Sequence, residues 1–102
     1  MTIRRFEWDE AKAAANLRKH RVDFLQAAQV FLDPLHVSRQ DRIEGGEERW
    51  QIIGLAGGFL ILVVAHTLRD DDEDGITVEI IRIISARRAD RTERRRYENE
   101  NG

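Results

Sequence analysis

Apolar residues recur at helical spacing in the N-terminal third of the chain. Five of them follow the i, i+3, i+4, i+7, i+8 pattern of a helix that faces a core: Phe24, Ala27, Ala28, Phe31 and Leu32. Asp23 and Gln26 have the spacing of a capping box, and Asp33-Pro34 ends the pattern. The spacing predicts a helix over 24–32 whose five apolar residues belong to the core.

A second helical pattern precedes it, over residues 9–20, after a short predicted strand at 3–7. Asp9 can cap the helix. The apolar positions are mostly alanines, which bury little area. Lys12, Asn16 and the pair 19–20 recur at i, i+4 and i+7/i+8, so they are expected on one polar face.

From residue 36 onward the apolar residues follow the shorter period of strands. Strands are predicted over 35–39, 47–55, 59–68 and 76–85, with a tight turn at 56–58 and an acidic loop at 69–75. The predicted fold class is α+β: two N-terminal helices packed on one face of a twisted antiparallel sheet, with a C-terminal helix. A single domain is expected over 1–97, followed by a disordered tail over 98–102.

Composition narrows the class of protein. The 102 residues include no cysteine, so disulfides and thiolate nucleophiles are excluded. The charged N-terminal segment does not resemble a signal peptide, and the longest apolar run, 59–65, is too short to span a bilayer. A cytoplasmic protein without membrane association is expected.

The C-terminal segment is basic although the whole chain has a net charge of -2. Residues 76–97 contain seven arginines and three carboxylates (Glu79, Asp90 and Glu93), a local excess of four positive charges. Six of these arginines lie between 87 and 96, where there is no lysine. Such a segment favours recognition of an anion over general adhesiveness.

Arg82 differs from the other arginines because it interrupts the apolar run 80–84. Burying a lone charge costs several kcal/mol, so its guanidinium must be paired or must face a groove. Two interpretations remain open. One is a salt bridge to Glu7 or Glu79, and the other is a clamp for a phosphate, which the planar guanidinium suits.

Other titratable groups predict no metal or cofactor site. The acidic run 70–74 lacks the spacing of an EF-hand and is typical of a solvated loop. His20, His36 and His66 lack the spacing of metal ligands.

Motifs along nearly the whole chain resemble the BrnT-type toxins of bacterial type II toxin–antitoxin pairs, a branch of the RelE/ParE-like fold. The motifs are Phe6-Glu7-Trp8-Asp9 with Lys12 and Asn16, Lys19-His20-x-Val22-x-Phe24 with Ala27-Ala28, Asp33-Pro34, Glu48-Arg49 before Ile53-Gly54, His66-Thr67-x-Arg69, and Arg82-Ile83-Ile84-Ser85-Ala86-Arg87-Arg88-Ala89 with Glu93 and Tyr97. The chain departs from the resemblance at Arg21, where glycine is common, and in its longer acidic loop.

The resemblance implies an endoribonuclease toxin that cleaves RNA without metal or cofactor and inhibits translation. It also implies a cognate BrnA-type antitoxin, which neutralises the toxin and binds operator DNA. Arg82 and Arg69 are then candidate clamps of the phosphate and transition state, assisted by Lys19 or Lys12. The candidate proton carriers are His66, His20 and Tyr97, and the candidate RNA contacts are Arg87, Arg88, Arg91 and Arg95.

Strand geometry limits this set of catalytic residues. In a regular strand, His66 and Arg69 point to opposite faces, so both can act only if the strand ends or bulges near Thr67. Two other functions remain open. The protein could be a non-catalytic corepressor that joins an antitoxin on DNA, or its arginine helix could be a docking surface for an acidic partner.

Overall fold

The computed structural model describes residues 2–101, with the side chains of 2–100. Its elements are β1 (Thr2–Glu7), α1 (Glu10–His20), α2 (Phe24–Ala28), a 3-10 turn (Gln29–Leu32), β2 (Val37–Glu44), β3 (Glu47–Ala56), β4 (Leu60–Glu73), β5 (Ile76–Arg88) and α3 (Arg91–Asn101). The strands of this range form one sheet in the order β1-β5-β4-β3-β2. Strand β1 pairs in parallel with β5, and every other pair is antiparallel.

The predicted architecture, two N-terminal helices packed on an antiparallel sheet, is wrong. The sheet is mixed, because its first strand lies parallel to its last strand. That pairing joins segments about 75 residues apart and leaves no turn motif in the sequence. The N-terminal region also contains one eleven-residue helix and one five-residue helix, and not two comparable helices.

The second predicted helix stops early because its backbone tightens into the 3-10 turn. A 3-10 helix turns about 20° more per residue than an α-helix, so it rotates the following side chains. Val30 is therefore fully buried, whereas Leu32, predicted to be in the core, is 76% exposed. The predicted caps are confirmed: Asp9 accepts a hydrogen bond from the backbone N–H of Lys12, and Asp23 accepts one from that of Gln26.

Apolar side chains fill both faces of the sheet. The larger cluster lies between the sheet and the N-terminal helices, and it includes Phe24, Phe31, Ile81 and Ile83. The smaller cluster lies under α3, where Tyr97 packs with Ile53 and Val63. Helix α3 thus covers one end of its face and leaves the other end open.

The predicted acidic loop is mostly strand. Strand β4 continues to Glu73, and β5 begins at Ile76. Asp74 and Gly75 both have positive φ, 54° and 80°, as a two-residue type I′ hairpin turn requires. The Asp-Gly pair therefore makes a tight turn, and the preceding carboxylates alternate between the two faces of a long hairpin. Residues 98–101, predicted as a disordered tail, continue α3, and Gly102 lies outside the described residues.

Candidate functional site

The open end of the α3 face carries a row of polar side chains that crosses all five strands of the sheet. Cross-strand pairing places its members side by side on one face: Glu7, Arg82, Thr67, Arg49 and Arg42. We call these five residues the basic row. Its central member, Arg82, is half-buried.

Further arginines flank the basic row on the same face. Arg39, opposite Gln51, lies on the side toward α3, whereas Arg69 and Arg5 lie on either side of Ile80. Arg39 and Arg42 are three residues apart and would normally face opposite ways. The irregularity between Gln40 and Arg42 restores both to one face, since it adds one residue to β2.

The side chain of Arg82 makes no hydrogen bond or ion pair within residues 2–101, and it acts on Glu7 and Asp9 only through its charge. Both carboxylates that the sequence suggested as its partners are engaged elsewhere. Glu7 accepts hydrogen bonds from Arg69 at 2.7 and 3.4 Å, and Glu79 accepts one from Arg4 at 3.2 Å. The geometry therefore lacks the salt bridge that was one interpretation of Arg82.

Glu7 is the carboxylate beside Arg82 in the basic row. Its pKa lies below the usual value, chiefly because Arg69 hydrogen-bonds to the charged form, and the positive charge of Arg82 adds to the effect. Glu7 is therefore ionised at neutral pH and partly offsets the positive charge of this face.

Arg49 belongs to the site although no pattern in the sequence predicted a role for it. Its Nε atom is buried and forms an ion pair with a Glu44 carboxylate oxygen at 3.3 Å, although the geometry is not that of a hydrogen bond. In the strand predicted over 47–55, side chains alternate between the two faces, so the sequence predicts Arg49 and Gln51 on the same face. The alignment of that face with Arg82 required the pairing of β3 with β4 and β5.

His66 lies on the opposite face from the basic row. It is buried, and its ring packs edge-on against Phe31 with the centroids 4.9 Å apart. Burial lowers the pKa of His66 to about 4. Strand β4 continues through Thr67, and the extra residue near this point, Ile84, belongs to β5. His66 and Arg69 consequently point in opposite directions.

Tyr97 holds α3 to the rest of the fold. Its hydroxyl donates a hydrogen bond to Asp33 at 2.6 Å, and the same carboxylate oxygen accepts one from the backbone N–H of Leu55 at 2.8 Å. Burial, together with the Asp33 carboxylate, raises the pKa of Tyr97 to about 12. The nearby Gly54 leaves room for the Asp33 carboxylate, since a Cβ there would lie 3.2 Å from the Asp33 Oδ2 atom and 2.9 Å from a Val30 methyl group.

The candidate residues of α1 lie on a helix that packs toward the other face of the sheet. Ala13 of this helix packs against the core cluster on the other face of the sheet. Lys12 and Lys19 are exposed, and His20 is partly exposed. The pKa of Asp9, the cap of α1, is lowered first by the hydrogen bond from the backbone N–H of Lys12 and further by the charges of Lys12 and Arg82, so the start of this helix lies within electrostatic range of Arg82.

The C-terminal arginines divide into two groups. Arg87 donates two hydrogen bonds to Glu93, at 2.7 and 2.8 Å, and that pairing raises the pKa of Arg87. Arg88, Arg91 and Arg95 are exposed at the end of β5 and on α3. They lie beyond the basic row, at the other end of the sheet.

Two negative findings concern residues 2–101. Nowhere in this range do three His, Asp or Glu side chains gather as a metal site would require. No helix in the range has both the length and the hydrophobicity to cross a bilayer.

A family model described as "Ribonuclease toxin, BrnT, of type II toxin-antitoxin system" matches residues 8–93. The chain belongs to the BrnT family. The match confirms the resemblance found in the sequence, and it includes every arginine of the basic row. The family consists of ribonuclease toxins of type II toxin–antitoxin systems.

A solved structure supports the fold. The crystal structure of the Brucella abortus ribonuclease toxin BrnT aligns with a TM-score of 0.56 and 23% sequence identity. The alignment covers 87% of this chain and 99% of that chain. No curated protein sequence matches the chain.

Proposed function

We propose that this BrnT-family protein is a metal-independent endoribonuclease that binds its RNA across the basic row. The observation that carries the proposal is the half-buried Arg82, which has no ion-pair partner among residues 2–101 and stands beside other guanidinium groups. A guanidinium held in this way is ready for an external anion, and its planar fork matches two phosphate oxygens.

The reaction suits a face dominated by cations. The ribose 2′-OH gives its proton to solvent as its oxygen attacks the adjacent phosphate. The bond to the 5′ oxygen of the next nucleotide breaks, that oxygen takes a proton from solvent, and the products are a 2′,3′-cyclic phosphate and a 5′-OH. Negative charge builds up on the phosphoryl oxygens in the transition state, so fixed positive groups accelerate the step. Arg82 and Arg49 lie two strands apart, about 10 Å between backbones at ~4.8 Å per strand, and their long side chains can converge on one phosphate.

Acid–base catalysis by His66 or Tyr97 is not supported by the geometry. His66 lies on the other face, and Tyr97 is hydrogen-bonded to Asp33. The proposal therefore assigns most of the rate to positioning and charge stabilisation by Arg82, Arg49 and Arg69.

Family membership supports the proposed partner. We infer that a BrnA-type antitoxin neutralises the protein by covering the basic row, and that operator DNA is reached through the antitoxin. An acidic antitoxin segment would compete with RNA phosphates for the same guanidinium groups.

The test compares Arg82→Ala and Arg82→Lys with wild type in an RNA cleavage assay that contains EDTA. Loss of one transition-state contact is expected to lower kcat about 100-fold or more in Arg82→Ala, with partial recovery in Arg82→Lys. Arg18→Ala is the matched control, since Arg18 is exposed on α1. Unchanged cleavage by a folded Arg82→Ala protein would refute the proposal.

A second candidate function is a non-catalytic corepressor. This candidate is favoured because His66 points to the other face of the sheet and the Tyr97 hydroxyl is held by Asp33, and a binding module needs no proton carrier. Wild-type protein that binds RNA or antitoxin but releases no 5′-OH product, with or without added metal, would support this alternative.

A further inference from the structure

A second cationic surface lies at the end of the sheet where β4 begins and β5 ends. Phe59, Arg88 and Arg94 line one shallow depression there, together with Leu60, Ile61 and Ala89. Phe59 follows the Gly57-Gly58 turn and is 80% exposed, the largest exposure among the large apolar side chains of the described range. We call Phe59, Arg88 and Arg94 the end patch.

The arginines around the end patch have no carboxylate partners within the described chain. Arg91, Arg94 and Arg95 line an adjoining depression with Glu98, which lies beyond ion-pair distance of all three. Asp90 and Glu93 are occupied, since they cap α3 reciprocally and Glu93 also holds Arg87. In a chain with 19 carboxylates, a cluster of unneutralised arginines is available to an external anion.

The position of these arginines in α3 favours a functional reason for them. Arg91 and Arg94 stand in the first turn, at the positive end of the helix dipole, where cations are unfavourable. Helix stability therefore does not explain their presence there. An exposed aromatic ring between guanidinium groups is instead the combination that proteins use to hold single-stranded nucleic acid.

We propose that the end patch is a second RNA subsite, in which Phe59 stacks an unpaired base while Arg88 and Arg94 contact its flanking phosphates. The inference rests on the proposed function, which supplies RNA as the ligand. Leu60 and Thr67, the neighbour of Arg82, are seven residue steps apart along β4, which is roughly 23 Å at ~3.3 Å per step. At ~3.4 Å per stacked nucleotide, about seven nucleotides span that distance.

The proposal predicts that the end patch affects long RNA and not short RNA. The test measures, by fluorescence anisotropy, the binding of 2′-O-methyl RNA of about 4 and about 14 nucleotides, a range that matches known single-strand sites. The 2′-O-methyl group prevents cleavage, so affinity is read without turnover.

Phe59→Ala is expected to weaken binding of the long RNA about tenfold and to leave the short RNA unchanged, whereas Phe59→Trp retains the affinity. For the long RNA, Arg94→Gln is expected to make the slope of log affinity against log salt concentration shallower by about 0.7, which is the value for one phosphate contact to a single strand. Leu32→Ala, at another exposed apolar residue, and Arg18→Gln are the controls.

Equal affinity of wild type and Phe59→Ala for the long RNA would overturn the inference. So would a loss of antitoxin binding in Phe59→Ala without a change in RNA binding, since the patch would then serve a protein partner. In both cases, weaker RNA binding by Arg82→Ala would leave the proposed function standing. Failure of wild type to bind either RNA would overturn both proposals.

Discussion

Replacing Asn16 tests whether the buried amide of α1 holds that helix to the sheet. The side chain is 7% exposed and makes three hydrogen bonds with backbone groups. Its Nδ2 donates to the carbonyl oxygens of Val22 at 2.9 Å and of Ala86 at 2.8 Å, and its Oδ1 accepts from the N–H of Ala86 at 3.1 Å. Because the helix otherwise presents mainly alanines, these bonds provide much of its attachment to β5.

The expected loss follows from the number of bonds. A buried hydrogen bond contributes about 1 kcal/mol net, so three contribute about 3 kcal/mol. Alanine recovers about 0.5 kcal/mol through its higher helix propensity. Asn16→Ala should therefore lower the free energy of unfolding by about 2.5 kcal/mol, a large part of the 5–15 kcal/mol of a typical domain. Asn16→Asp keeps the shape of the side chain but turns a carboxylate toward two carbonyl oxygens, so it should be at least as destabilising.

Urea unfolding at neutral pH measures both variants. Asn99→Ala is the matched control, because Asn99 is exposed on α3 and changes helix propensity alone. The error of such comparisons is roughly 0.5 kcal/mol. If the free energies of unfolding of Asn16→Ala and Asn99→Ala differed by less than this, the three hydrogen bonds would not stabilise the fold as argued.

Three other predictions concern charge. Burial lowers the pKa of His66 from its ordinary 6.5 to about 4 in the fold. The neutral buried ring therefore contributes its full stability above pH 6.5, and this contribution declines as pH falls toward 4, because the unfolded chain takes up the proton first. The full loss is about 3 kcal/mol at 1.36 kcal/mol per pKa unit, and His66→Phe should flatten this decline in urea unfolding at pH 7.5 and 4.5. Tyr97→Phe should lower the free energy of unfolding by about 2 kcal/mol, because it removes the hydrogen-bond donor to Asp33. In the wild-type protein, the contribution of this hydrogen bond should decline as pH rises from 10 to 12, which urea unfolding at alkaline pH would measure. Glu7→Gln should change stability by less than about 1 kcal/mol. It should also tighten binding of 2′-O-methyl RNA, because Arg69 loses its ion-pair partner and becomes available to phosphate. Unchanged affinity would count against the basic row as the RNA-binding site.

Local patterns in the sequence were reliable where the structure depends on neighbours along the chain. Asp9 and Asp23 cap the helices that follow them, as their spacing predicts. The Gly57-Gly58 turn joins β3 to β4, and each predicted strand overlaps an observed one. The BrnT resemblance was also recognisable, because its motifs are contiguous in sequence.

Long-range pairing was the part that the sequence did not reveal. The parallel contact of β1 with β5 unites the two ends of the chain, and no local residue signals it. Register is also what assembles the candidate site. Arg82 was recognisable from its apolar neighbours, but Arg49 and Arg42 join it only after four strands are aligned. His66 was separated from Arg69 by the unbroken course of β4, which the acidic run had suggested would end early.

The distribution of carboxylates on the basic face explains how a chain with net charge -2 can attract RNA. Arg69 is held by Glu7 and Arg5 by Glu73, with separations of 2.7 and 3.0 Å. An arginine that exchanges a carboxylate for a phosphate replaces one ion pair with another, so the exchange yields little net attraction. Arg82 has no ion pair to give up, so more of its interaction with phosphate contributes to binding. We therefore expect Arg82 to dominate the electrostatic contribution of this face to affinity, with the paired arginines serving mainly to position the strand.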